Sequence, residues 1–306
     1  MSVTEPLDWH VAIYVANEAE RLDACIASVV ADLAGTSYRI TILLNGSMDG
    51  SAEIAVAAAR QLPAIEVFTI RYPDKSNAIN QFYHHLRVPA RLYASVDGYV
   101  VVRPGAFAAL AVHMAAHPNA STVSGFAVNG RTLPRPDTIR PRAGRVMGGM
   151  HALRPRFLDG IVARQLRLPV GLYRGDGLIG SMAAHDLDAL TNKWDDQRIL
   201  SEATAEVEVQ RLSPFRPKHV HRQFLRKLRQ MRGRIENAAL EVIIYRDGFA
   251  RLPAFADDMI ADHLAIHGAP KTPLADRAFM HMAIQKSAAA KRPSPEDLAP
   301  VRVQLG

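Results

Sequence analysis

Val11-Ala-Ile-Tyr-Val-Ala-Asn-Glu18 runs directly into Ala19–Leu33, where Leu22, Ile26, Val29, Val30 and Leu33 recur at helical spacing. Five apolar residues in a row, Val11–Val15, make a short buried strand, and the spacing that follows makes a helix with one apolar face. The same order repeats downstream. Arg39–Leu44 reads as a strand, Ser51–Gln61 as a helix, Ile65–Ile70 as a strand, and Asp74–Leu86 as a helix. Arg91–Val96 is the next strand, Pro104–His117 a helix opening on proline, and Ser121–Val128 a further strand. Strands alternating with helices predict an α/β fold: a mostly parallel sheet flanked by helices on both faces.

The pattern then changes. Asn129–Arg145 is rich in Pro and Arg, lacks periodicity and reads as a long loop of the kind that orders over a ligand. Helices are expected near Gly149–Gln165 and Leu178–Leu190, with little β-α alternation over Lys193–Gln210 beyond a strand candidate at Glu206–Leu212. After Phe215 the chain is almost wholly helical, and from Lys291 three prolines predict a frayed tail. The expected organisation is a sheet domain over 1–215, a helical C-terminal extension over 216–290 and a disordered tail over 291–306.

Composition narrows the function. The 306 residues are 48% apolar and 22% charged, which is globular usage. No apolar run nears the roughly 20 residues that cross a bilayer, and the first residues lack the basic-then-apolar order of a secretory leader. The expected location is cytoplasmic. A single cysteine, Cys25, excludes an intrachain disulfide and a thiolate metal cluster. The net charge is +7, yet Arg211–Arg234 holds nine Lys or Arg and no acid, so the rest of the chain stands at −2. A basic stretch of this kind suits diphosphates, anionic lipid headgroups or nucleic acid. Within it, Phe224, Leu225, Leu228 and Met231 form an apolar stripe, which fits either packing on the main domain or peripheral association with a membrane.

Ligands in open α/β sheets bind beyond the carboxyl ends of the strands. Polar residues stand at those places: Asn17 and Glu18, Asn45-Gly46-Ser47, Lys75 with Asn77 and Asn80, and Asp97-Gly98. Each also has a purely structural reading. Asn17 and Glu20 have cap and N3 spacing, Asp49 can cap the next helix, and Asp97-Gly98 between apolar runs has the form of a hairpin turn. Asp176 lies between Gly175 and Gly177, where it is either a solvated turn or an acid that a ligand approaches closely.

Taken together, these segments resemble family 2 glycosyltransferases. Val11–Glu18 is similar to the opening strand and turn, and Leu43-Leu-Asn-Gly-Ser-Met-Asp-Gly-Ser51 to the second-strand motif, with Asn45 where an acid is usual. Lys75-Ser-Asn-Ala-Ile-Asn80 resembles the Gly-Lys-x-x-Ala-x-Asn stretch, and Tyr93-Ala-Ser-Val-Asp-Gly-Tyr-Val100 the Asp-x-Asp region. Arg174-Gly-Asp-Gly-Leu-Ile-Gly180 resembles the later acidic motif. The resemblance covers about residues 10–235. It implies a GT-A-like fold and an inverting, non-membrane-spanning enzyme that moves a sugar from a nucleotide-diphosphate donor, a UDP-sugar first, to an acceptor hydroxyl. It assigns Asn17, Glu18, Asn45, Lys75, Asn77, Asp97, Arg226 and Arg229 to the nucleotide-sugar, Asp176 to the catalytic base, and Asp97 with His221 to a divalent ion, Mg2+ or Mn2+.

Tyr99 occupies the second acid's position, which leaves that metal a ligand short. The Gln-x-x-Arg-Trp motif also lacks its Trp, which argues against a processive polysaccharide synthase. The acceptor, whether a glycan, a lipid-linked sugar or a small molecule, is open. Two other readings stand beside this one. One is a degenerate scaffold that binds anionic membrane or nucleic acid through the basic helix, although no specific nucleic acid is expected. The other is a nicotinamide site on Gly175-x-Gly177-x-x-Gly180 with Asp195 about 20 residues beyond the motif.

Overall fold

The computed structural model describes residues 5–129, 146–209 and 217–305. Its frame is a run of parallel strands, β1 (Leu7–Val15), β2 (Tyr38–Asn45), β3 (Ile65–Ile70) and β4 (Ala90–Asp97), in the order β4-β1-β2-β3. Val11 lies opposite Ile40 and Ala94, and Ile13 opposite Ile42 and Val96. Trp9–Val15 are all buried because both faces of the sheet are covered. Trp9, Val11, Ile13 and Val15 pack with α1 (Ala19–Asp32), α2 (Ser51–Gln61) and, past β5 (Val101–Val102), α4 (Ala106–Ala116). Ala12 and Tyr14 face α3 (Lys75–Gln81), which continues as a π-helical turn over Phe82–Leu86. In α1, Leu22, Cys25, Ile26 and Val29 are the buried stripe. Truncating fully buried Leu22 to Ala removes contacts worth about 2–5 kcal/mol.

Beyond β4 the sheet becomes mixed. β6 (Thr122–Ala127), β7 (Met150–Leu153) and β8 (Ile199–Glu208) complete the order β5-β8-β6-β7-β4-β1-β2-β3-β9, with β7 antiparallel to both β4 and β6. Three expectations are corrected here. The helix expected from Gly149 begins only at Pro155, as α5 (Pro155–Ala163), because Met150–Leu153 are buried between two strands. Lys193–Gln210 contains β8, a half-exposed strand without a continuous apolar run. Asp97-Gly98 is not a hairpin: β5 pairs with β8, and the Gly98 N–H bonds to the Tyr14 carbonyl at 2.9 Å.

After α6 (Gly175–Ala184), the C-terminal third is helical, with α7 (Pro217–Asp247), α8 (Ala256–His267) and α9 (Arg277–Ala288). The expected domain boundary near 215 falls outside the described residues. The terminal stretch, expected to be disordered, is part of the fold over residues 291–305. Ser294 and Asp297 form a capping box for α10 (Pro295–Leu298), and β9 (Val301–Arg302) pairs antiparallel with the edge of β3. Asn77 and Gln81 donate side-chain N–H bonds to the Leu298 carbonyl at 2.8 and 3.1 Å. Prolines at a helix start and an edge are tolerated, which the proline count alone conceals. Among the described residues no helix is long and apolar enough to cross a membrane.

One buried histidine makes the frame sensitive to acid. His10 on β1 is fully buried. Its Nδ1 accepts the Val88 N–H at 3.0 Å, so Nε2 holds the proton and faces Thr41 Oγ1 at 2.9 Å. Burial, joined by the Arg39 charge, pushes the imidazole down to about 3. A free histidine titrates near 6.5, so between those values the unfolded chain binds more protons. The stabilisation from neutral His10 is therefore complete above about pH 6.5 and is lost as pH falls towards 3, by at most about 1.4 kcal/mol per pH unit. Urea midpoints measured from about pH 7 down to about pH 5 are expected to fall, and His10→Gln to flatten part of that slope.

Candidate functional site

The loops after β1, β2, β3 and β4 emerge at one edge of the parallel sheet, and the site is built there. Lys75 opens α3. Asp74, its N-cap, accepts the Asn77 N–H at 2.6 Å, and the Asp74 N–H is held in turn by Asn45 Oδ1 at 2.8 Å. Asp97 ends β4, with its N–H on the Gly149 carbonyl at 3.0 Å. Asp176 lies in the first turn of α6.

These three side chains meet. Lys75 Nζ is 2.7 Å from Asp97 Oδ1, 3.6 Å from Asp176 Oδ1 and 3.4 Å from the Gly148 carbonyl, and it lies 5.9 Å from the centre of the Tyr14 ring. Tyr99 donates its hydroxyl to Asp97 Oδ2 at 2.8 Å. Burial alone would lower the Lys75 ammonium, but Asp176 and Asp97 outweigh it and hold it above its ordinary value. Burial pushes the Asp97 carboxyl up against the pull of Lys75. Asp97, with burial, raises the Tyr99 phenol, so Tyr99 stays a neutral donor. Asp176 Oδ1 is buried and has no hydrogen-bond partner.

The floor of the site is a glycine pair. At Gly148 a Cβ would overlap the Asp176 carboxylate, so a side chain is excluded. Met147 just before it is tied by its N–H to Ser124 Oγ at 2.9 Å, and its carbonyl lies 3.1 Å from His151 Nδ1. Burial pushes His151 down to about 4, which keeps it neutral.

A second set of bonds aims α6. The segment before it is clamped by α3. Asn80 takes both the N–H and the carbonyl of Leu168, Ser76 donates to the Leu172 carbonyl at 2.9 Å, and Asp74 Oδ2 accepts the Gly171 N–H at 2.8 Å. It is also clamped by α7. Glu236, fully buried, accepts the Tyr173 N–H, and Arg232 joins Glu236 at 2.8 Å, Asp257 at 2.6 Å and the Gly171 carbonyl at 3.0 Å. Arg232 lies inside the basic run, yet it is structural.

Other expected site residues are placed differently. Asn45 and Asn77 are buried with their amides engaged by the chain, so they hold the α3 loop and α10 rather than line the edge. Asn17 stands just before the α1 N-cap, Glu18. It is left-handed, with φ 57°, and its Oδ1 accepts the Met48 N–H at 2.9 Å. The start of α1 is also held from across the edge, by Asp49 on the Ala19 N–H and Ser51 on the Glu18 N–H. Asn17 is exposed and Glu18 half-buried at the end of β1. The Arg229 guanidinium stacks over the Tyr173 ring at 5.6 Å, three residues before Asp176, and Arg226 is half-buried one turn earlier. His221 is exposed on α7. The expected lid, Asn129–Arg145, lies outside the described residues beyond Asn129.

The nicotinamide reading loses its structural basis. No strand precedes Gly175, and Asp195 caps a short 3-10 turn, so the nicotinamide fingerprint is absent. Leu228 and Met231 are buried with Ile260 of α8 and Met280 of α9, so this half of the apolar stripe packs internally, while Phe224 stays exposed. Cys25, buried beneath Asp97, is pushed up to about 12 by burial and is no nucleophile.

A divalent ion takes several oxygen ligands, of which one or two are carboxylates. Here both Asp97 oxygens are engaged, by Lys75 and Tyr99, and a neutral phenol is a poor ligand. Among the described residues no group of three or more His, Cys, Asp or Glu could hold a metal. The residues present, including the expected pair Asp97 and His221, do not fit one.

The comparisons with known proteins agree with this architecture. The sequence profile of glycosyl transferase family 2 matches residues 10–165. Among solved structures, the chain is similar to the mannosyltransferase PcManGT from Pyrobaculum calidifontis in complex with GDP-Man and Mn2+, with a TM-score of 0.56 and 14% identity over 94% of this chain and 89% of that one. It is similar also to S. aureus TarS 1-349 in complex with UDP-GlcNAc, with a TM-score of 0.55 and 14% identity over 92% of this chain and 80% of that one. Both share the mixed sheet with flanking helices, a GT-A fold. No curated protein matches the chain as a relative.

The clamp on the α6 segment has a measurable strength. Arg232→Met leaves Glu236 buried without its cation, which is expected to cost about 3–5 kcal/mol in urea unfolding. A loss within about 0.5 kcal/mol, the ordinary surface range, would show the network to be idle.

Proposed function

The chain belongs to glycosyl transferase family 2, and on that premise we propose that it moves the sugar of a nucleotide-diphosphate donor, a UDP-sugar first, to an acceptor hydroxyl with inversion. Asp176 is the base. Its buried oxygen Oδ1 is the observation that supports this role: it accepts no hydrogen bond and has only the Lys75 ammonium at 3.6 Å, so an incoming hydroxyl supplies the donor it lacks. As the acceptor oxygen attacks the anomeric carbon, its proton passes to Asp176. The bond from that carbon to the phosphate oxygen breaks on the opposite face, and its electron pair leaves with the nucleoside diphosphate.

The nucleotide lies along the strand ends, against Asn17, Glu18 and Asp97, with Lys75, Arg226 and Arg229 facing its charge. The stacking of Arg229 on Tyr173 and the position of Lys75 beside Asp176 are what favour this arrangement. Neither Asn45 nor Asn77 takes part, because both are bonded into the scaffold.

Asp176→Asn is expected to lower kcat by about 100- to 10,000-fold. Calorimetry should show donor binding unchanged, since the amide keeps the shape. The anomeric configuration of the product, read by NMR, is expected to be opposite to that of the donor. Full turnover in Asp176→Asn would remove the base, and a retained configuration would remove the single displacement.

A further inference from the structure

We propose that Lys75 is a built-in substitute for the divalent ion, so that this site binds a nucleoside diphosphate and discharges it without metal. The inference deepens the donor reading above and rests on it.

The geometry assigns the position. The carboxylates of Asp97, at the end of β4, and Asp176, at the start of α6, converge on one point, and the Lys75 ammonium fills it, at 2.7 and 3.6 Å. A metal binding there would have to expel an ammonium that is already paired. It would also have to strip the Tyr99 hydroxyl from Asp97 Oδ2. Tyr99 stands two residues after Asp97 and turns its phenol back onto that carboxylate, so a position that could hold a second acid next to the first instead closes it.

Lys75 is also anchored as a resident ion would be. Its backbone is set by the Asp74 cap and the Asn45 bond to the Asp74 N–H. Its side chain is 35% exposed, so Lys75 lies open to the sheet edge with its ammonium paired. An ammonium carries three donors, and phosphate oxygens accept them as they accept a metal. When the bond to the anomeric carbon breaks, the electron pair and the new charge go to the terminal phosphate oxygen. Lys75 meets that charge, and no co-reactant is needed.

The test is calorimetry of UDP and of GDP on the full chain, once with EDTA and once with excess Mn2+. Electron paramagnetic resonance of Mn2+, alone and with UDP, runs beside it. Affinity for whichever diphosphate binds is expected to agree within about threefold between the two conditions, with no bound-Mn2+ signal. Lys75→Met is expected to weaken that diphosphate by about tenfold or more, and the corresponding nucleoside by much less. A larger tightening by Mn2+, a bound-Mn2+ spectrum, or unchanged diphosphate affinity in a folded Lys75→Met overturns the inference while leaving the donor reading intact. The wild-type arms decide it if the variant does not fold. Absence of diphosphate binding under both conditions overturns the donor reading and this inference with it.

Discussion

The contact between Lys75 and Asp97 is the constraint on which the site depends. Asp97 is nearly buried at the end of an interior strand, and Asp176 is brought close to it by a helix from another part of the chain. Two carboxylates at a desolvated sheet edge repel each other and resist burial. An ammonium between them makes the arrangement tenable. Because Lys75 begins α3, and α3 clamps the segment leading into α6, the same helix supplies the cation and aims the acid that faces it. Charge and position share one origin.

The parallel half of the fold was legible because fully buried strands read as apolar runs and the helices between them keep their stripes. Where burial was partial, legibility failed. β8 alternates half-exposed positions, and its Glu and Thr residues hide it. β7 is four residues long and abuts a proline-started helix, so its apolar residues read as part of that helix. The proline-rich terminus read as disorder because composition cannot show that an open sheet edge is waiting for it.

The site was legible in part, and unevenly. Motif order singled out Lys75, Asp97 and Asp176, and the structure brings these three together. Asn45 and Asn77 stood at equally suggestive places but are used to satisfy backbone groups of the loops they border. From sequence, an amide that meets a ligand and one that meets a carbonyl look alike. Tyr99 was visible only as a missing acid, since nothing in a residue type reveals that a phenol folds back two positions. Gly148 carried no signal, because its importance lies in what the Asp176 carboxylate needs from across the fold. Arg232 was hidden among the other basic residues of its helix, and only burial separates it from them.

The pairing of β9 with β3 has a consequence for how the protein is made. Thr69 on β3 and Val301 on β9 are 232 residues apart. A ribosome adding ~5–20 residues per second needs on the order of ten seconds or more to cover that distance. Throughout that interval the nascent sheet has an unprotected flank, with Val67 and Thr69 offering backbone groups to any extended neighbour. Crowded polysomes would therefore favour strand exchange between unfinished copies at this flank, and closure by β9 removes that edge from the finished chain.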